Sequence, residues 1–192
     1  MKRIIFLLTT LLLVTSTNVM AQEEQKDKIA KKEAKKAEKE AKKAAKKAEK
    51  QALYAEALNA LTERKFIIKI DRVQIDNGRF NHVDNRSSFF ELNDTTTSSQ
   101  MDGGSTYSTP KLVYGEASDF NITTDKKGNT TLELTLREKT SIIPKNIKIR
   151  LENESNECSM TIFAKKGTRL YIRGILEPLG KTKIFRGTPL IY

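Results

Sequence analysis

The order of apolar and polar positions divides the chain into three stretches. Ile4 to Val14 is an apolar run interrupted only by Thr9 and Thr10. From Glu23 to Lys50 large apolar residues almost vanish, and Lys, Ala and Glu fill nearly every position. Beyond Leu61 the pattern becomes alternating, the signature of strands with one buried face. In "KFIIKIDRVQI", Phe66, Ile68 and Ile70 share one face, whereas Val73 and Ile75 follow the opposite register. That change of phase predicts a β-bulge near Asp71-Arg72.

Further strands follow at short intervals. Asp76-Asn77-Gly78 is a turn signal, and "SSFFEL" reads as a second strand. The polar stretch "NDTTTSSQMDGGSTYSTP" is read as part strand, with a loop at Asp102 to Ser105. "ASDFNITT" and "NTTLELTLR" flank Asp125 to Asn129 as a hairpin, with Phe120 and Ile122 facing Leu132, Leu134 and Leu136. "NIKIRL" and "ECSMTIFA" pair across Glu152 to Asn156. Lys165 to Thr168 then turns into "RLYIRGILEPL", and "GKTKIFRGTPLIY" closes the chain. The pattern predicts a mainly β fold: a single antiparallel β-sandwich or small open barrel of about seven to eight strands, preceded by a long Lys/Ala-rich α-helix. Residues 1–21 are expected to be a signal peptide, 22–62 the charged helix and 63–192 the all-β domain.

The first stretch has the layout of a secretory leader: Lys2 and Arg3, a short apolar core, then Val19-Met20-Ala21 before Gln22. Cleavage is expected between Ala21 and Gln22; the alternative is an uncleaved N-terminal anchor. The apolar core falls short of the roughly 20 residues a membrane span needs. No cysteine follows it to carry a lipid, so the expected product is periplasmic or secreted and not a lipoprotein. Cys158, the one cysteine, cannot form an internal disulfide. It lies in the alternating phase of Met160 and Ile162, which predicts a buried structural thiol.

Charge changes the picture of the second stretch. The formal net charge is +11, with 12 Lys against 7 acids between Glu23 and Lys50. Ala, Lys and Glu have high helix propensity, and no Gly or Pro interrupts them. Alanines at 30, 34, 37, 41, 44 and 48 form one narrow stripe. The stripe suits a solitary helix or a weak coiled coil, so the expected state is a monomer or a weak helix-mediated oligomer. Three uses compete: a semi-rigid spacer, an oligomerisation seam, or a tether in which Lys31, Lys35, Lys42 and Lys46 meet anionic envelope components. Without aromatics for stacking, specific nucleic-acid reading is not expected.

Ala57 to the C-terminus resembles a family of secreted Bacteroidetes proteins, domain of unknown function 4251. The likeness is carried by "ALTERKFIIKID", "YGEASDFNITTDKKGNTTLELTL" and "RLYIRGILEPLGKTKIFRG", with Gly174-Ile175-Leu176-Glu177-Pro178 as its "G-x-L-x-P" element. The resemblance implies an all-β fold and export. It implies no activity. The Lys/Ala rod lies outside the family pattern.

Little in the sequence favours catalysis. His82 is the single histidine and has no companion nucleophile or metal ligand in "RFNHVDNR". The acids Glu91, Asp94, Asp102, Glu116 and Asp119 are scattered, and spacing does not show whether any two converge. Asp94-Thr95-Thr96 resembles the short O-glycosylation site of exported Bacteroidetes proteins, with Thr95 as acceptor. Tyr107, Tyr114, Tyr171, Phe163 and Tyr192 could line a sugar or peptide groove, or belong to the core. The expected function is a non-enzymatic, envelope-associated binding or structural module without cofactor or metal. The alternatives are a carrier with an apolar cavity lined by Ile147, Ile149, Leu151, Met160 and Ile162, and a carboxylate-dependent hydrolase.

Overall fold

A computed structural model describes residues 32, 34–75, 78–101, 111–141, 143–163 and 167–189. The chain divides into two compact units, Met1–Ala48 and Glu49–Tyr192. Helix α1 (34–62) crosses that division. Within the first unit, the side chains of residues 34–48 are exposed, as expected for a Lys/Ala/Glu helix with no bulky face to bury. Lys42 pairs with Glu38 one turn earlier at 2.5 Å, an exposed contact worth a few tenths of a kcal/mol.

The second unit is built from ten strands among the described residues: β1 (Lys65–Ile75), β2 (Asn81–His82), β3 (Phe89–Asn93), β4 (Thr96–Gln100), β5 (Lys111–Thr124), β6 (Thr130–Glu138), β7 (Lys145–Leu151), β8 (Glu157–Phe163), β9 (Arg169–Pro178) and β10 (Thr188–Pro189). The strand order β5-β4-β3-β1-β9-β8-β7-β6 closes on itself through antiparallel pairing of β5 with β6. The sandwich-or-open-barrel expectation thus resolves into a closed, up-and-down barrel of eight strands. β2 adds to β1, and β10 runs parallel to the start of β5.

Alternation decides which side chains enter the barrel. Phe66, Ile68 and Ile70 of β1 meet Phe90 and Leu92 of β3, the leucines of β6, Ile147, Ile149 and Leu151 of β7, and Met160 of β8 in one buried cluster. Phe66 and Phe90 form a tilted pair with ring centres 6.5 Å apart. An eight-stranded barrel has an interior that side chains can fill or that can hold one small ligand. Here Ile147, Ile149, Leu151 and Met160 are packed in the cluster with Ile162 against it, which removes the lined cavity on which the carrier alternative rested.

The bulge expected from the phase change is present: the β1–β9 register shifts between Ile70 and Arg72. The Asp125–Asn129 hairpin also forms, Ile122 opposite Leu132. Asn129 donates to the Asp125 carboxylate, as do the amides of Asn129 and Lys127. With the Arg150 guanidinium nearby, these bonds hold the Asp125 carboxyl below its ordinary value against a smaller opposing effect of desolvation. A second bulge, between Ser118 and Asn121, interrupts β5.

The end of α1 belongs to the barrel's core. Ala57, Ala60 and Leu61 are buried, with Tyr54 and Leu58 packed beside them, a 54-57-58-61 stripe of helical period. The Tyr54 hydroxyl donates to the Gly128 carbonyl in the β5–β6 turn at 3.0 Å. Arg64 ends the helix with a positive φ of 58°, a position usually given to glycine. Its guanidinium lies 4.8 Å from the Phe120 ring centre. Ala57 and Ala60 were not singled out in the sequence; their importance comes from contact with the barrel.

The C-terminal segment is a strap across the outer wall. Ile67, Phe89 and Leu112 form a second buried cluster, with Tyr114 and Ile184 packed against it. Gln100, only 2 % exposed, clamps the strap: its amide nitrogen donates to the Ser87 and Phe185 carbonyls, and its oxygen accepts from the Gly187 amide. Gln100→Leu should therefore cost about 2 kcal/mol, since three backbone groups lose a partner. Urea unfolding reads the loss, and amide exchange should accelerate at Gly187. Unchanged exchange there would show that the clamp does not hold the strap.

Candidate functional site

The outer wall formed by β6–β9 brings together residues far apart in sequence. Cross-strand register places Phe163 beside Asn146 and Asn146 beside Thr135. One step along, Tyr171 neighbours Thr161, Thr161 neighbours Lys148 and Lys148 neighbours Glu133. The β5 bulge, where Asp119 takes a φ of 55°, adds a carboxylate from the adjoining strand. Asp119, Glu133, Thr135, Asn146, Lys148 and Phe163, with Leu134 and Ile147, line a depression of about 370 Å³. That lies near the lower end of the roughly 300–1,000 Å³ common for small-molecule sites.

Charge in the depression is balanced locally. Lys148 Nζ lies 2.9 Å from Glu133 Oε1. The hydrogen bond and positive charge of Lys148, with a weaker bond from Asn121, keep the Glu133 carboxyl below its ordinary value despite some opposing desolvation. Ser118 Oγ donates to Asp119 Oδ2 at 2.9 Å. Phe163 is 38 % exposed, and the Arg169 guanidinium stands 5.7 Å from its ring centre. A glycosidase acid needs a raised pKa to stay protonated, and Glu133 is shifted the other way. The depression thus presents carboxylate, amide, hydroxyl and ammonium groups to a polar ligand.

A second feature lies on the first unit. At 3.6 residues per turn, the eight lysines from Lys32 to Lys47 fall within an arc of about 140°, and the six alanines from Ala34 to Ala48 within about 100° on the opposite side. Lys35, Lys42 and Lys46 lie within the lysine side, Lys42 at its edge, and are exposed. Lys31 lies outside the described residues, as do the leader and its Ala21–Gln22 junction.

The other positions read from the sequence fall apart from one another. Thr95 is exposed in the two-residue turn between β3 and β4, beside Asp94 with a φ of 54°. His82 is exposed on β2 opposite Arg72. Glu91 is engaged by Arg186 of the strap, and Glu116 is exposed on β5. Cys158 is buried as expected; burial raises its thiol pKa far above the ordinary value, and the charges of Asp71 and Glu152 add to the effect. Tyr114 packs under the strap and Tyr171 is half-buried on the outer wall. Asp76, Asn77, the Asp102–Ser105 loop, Tyr107 and Tyr192 lie outside the described residues. Among the described residues no group of three His, Cys, Asp or Glu could hold a metal ion, and no helix is long and apolar enough to cross a membrane. Glu133, Thr135, Asn146 and Lys148 were missed because each is an ordinary outward position of an alternating strand; only the register unites them.

The fold defines a protein class: a closed antiparallel β-barrel with a helix packed on its core and a polar depression on its outer wall. The model of the family described as "Domain of unknown function (DUF4251)" matches residues 48–176, and the chain belongs to that family. Among solved structures, it is similar to the crystal structure of a DUF4251 family protein from Bacteroides eggerthii, with 25% identity and a TM-score of 0.61. That match covers 72% of this chain and 96% of the other. A search of curated proteins finds no match.

Proposed function

We propose that the protein is a non-enzymatic binding module, exported and envelope-associated, whose lysine-faced helix tethers it to polyanionic surface. One observation carries this reading: the separation of lysine and alanine onto opposite sides of α1 between residues 32 and 48. A helix that only keeps distance needs charge for solubility but gains nothing from gathering it on one side. A one-sided row of ammonium groups can meet phosphates or acidic polymers along its length, each lysine contributing about 1 kcal/mol beside an anionic surface. The alanine side offers too little apolar area to insert among lipids. Attraction of this kind weakens as the Debye length contracts from ~10 Å at 0.1 M to ~3 Å at 1 M salt.

The test compares the chain from Gln22 onward with one beginning at Glu49, and with the Lys35→Gln/Lys42→Gln/Lys46→Gln variant, on isolated envelopes over a salt series. The longer chain should be retained at low salt and released as salt rises. The shortened chain should not be retained, and the triple variant should release at lower salt. Identical, salt-insensitive retention of all three would sink the tether.

A further inference from the structure

We propose that the depression between β5, β6, β7 and β8 is a saccharide-binding site, in which one pyranose ring lies against Phe163 while its hydroxyls bond to Asp119, Glu133 and Asn146. The depression combines an exposed aromatic ring with carboxylate, amide, hydroxyl and ammonium groups inside one concavity of about 370 Å³. A pyranose has the matching surfaces: an apolar face of C–H groups for the ring, and a rim of hydroxyls that both donate and accept. Carboxylates accept two hydroxyl bonds each, the Asn146 amide does both, and Lys148 donates.

Competing ligands fit less well. An anion would face Asp119 and Glu133, which with Lys148 and the nearby Arg169 leave no net positive charge to hold it. An apolar molecule would strip water from four or more polar groups and leave them unpaired. A peptide added as a strand needs a free edge, and β6, β7 and β8 are paired on both sides along this wall. A metal would lack ligands, since no suitable group of three is present among the described residues. The bulge brings Asp119 to the rim in a left-handed backbone conformation, one that aspartate adopts more readily than most residues. The site lies on the barrel and the tether on residues 32–48, so either reading can fail alone.

The experiment uses the full chain from Gln22, labelled with nitrogen-15, titrated into tens of millimolar with cellobiose, maltose, mannobiose and N,N′-diacetylchitobiose. The parent polysaccharides form a separate arm, to distinguish a free sugar from a unit within a polymer. At least one probe should shift the amide signals of Glu133, Asn146 and Lys148, including the Asn146 side-chain amide. Phe163→Ala should weaken that probe about tenfold through loss of the stacking surface, and Glu133→Gln should weaken it by a smaller factor. Both positions are solvent-accessible, so an unchanged dispersion of distant signals shows that the fold is retained. Should neither change be tolerated, Asn146→Ala in the exposed rim gives the same readout. The proposal is overturned if no probe shifts these signals, if the shifts lie elsewhere on the barrel, or if they persist undiminished in Phe163→Ala. Release of reducing ends from a bound probe would instead overturn the non-enzymatic reading and leave the sugar site standing.

Discussion

Gly174→Ala should destabilise the barrel by about 3 kcal/mol or more, at the upper end of what overpacking costs. A β-carbon at Gly174 would lie 2.1 Å from the Lys69 carbonyl oxygen and 3.0 Å from its carbonyl carbon. Both atoms are backbone of the neighbouring strand, so no rotamer change can relieve the overlap. Gly174 pairs with Ile70 immediately before the register shift in β1, where the bulge draws the two strands together. Relief would require β1 and β9 to move apart, and with them the ladder on each side. Gly180 provides the control. It has a φ of 89° but open space where a side chain would go, so alanine there should cost only the backbone strain, about 1 kcal/mol. Urea unfolding of the two variants separates the effects; equal losses would show that the close approach at Gly174 is not the constraint.

The same glycine marks how much the sequence could reveal. It lies in "RGILEPL", a stretch that carries the family likeness, and the bulge it faces was legible because Val73 and Ile75 fall out of phase with Phe66, Ile68 and Ile70. Apolar periodicity is a local property, so the strands and the Asp125–Asn129 hairpin could be read from it. Closure was not legible. The meeting of β9 with β1 joins residues about a hundred positions apart, and no local pattern records such a pairing. The strap is illegible for a related reason: Ile184 and Phe185 are isolated apolar residues in a polar tail, and their partners, Gln100 among them, lie in a stretch read from its polarity as partly loop. Thr97, Ser98 and Gln100 are buried because of what crosses or faces them.

The wall site shows the limit most plainly. Asp119 stood among the scattered acids, and Phe163 among aromatics that could belong to a groove or to the core. Neither spacing nor composition joins them to Glu133 and Asn146. Three hairpin registers and a bulge do so. The lysine side of α1 is the opposite case, since helical period alone places it.

Removing residues through Ala48 should leave the barrel's unfolding midpoint nearly unchanged, whereas removing residues through Thr62 should cost about 5 kcal/mol of stability. The first cut takes away a segment whose described side chains are exposed. The second takes Leu61, Ala57 and Ala60 out of the main cluster and uncovers the core residues they touch. Burial of Leu61 alone is worth about 2–3 kcal/mol. Half-buried Tyr54 and Leu58 and the two alanines bring the total near 5 kcal/mol, against a net stability of about 5–15 kcal/mol for a typical domain. The barrel would also lose the Tyr54 bond to the Gly128 carbonyl and the ion pair between Glu56 and Lys181 at 2.7 Å, though the exposed ion pair counts for little. Leu61→Ala isolates the central contact without altering chain length and should cost about 2–5 kcal/mol. Thermal unfolding of the three forms distinguishes a helix that completes the core from one that only precedes it. If the chain beginning at residue 63 melts with the full-length protein, α1 does not complete the core and the barrel stands without it.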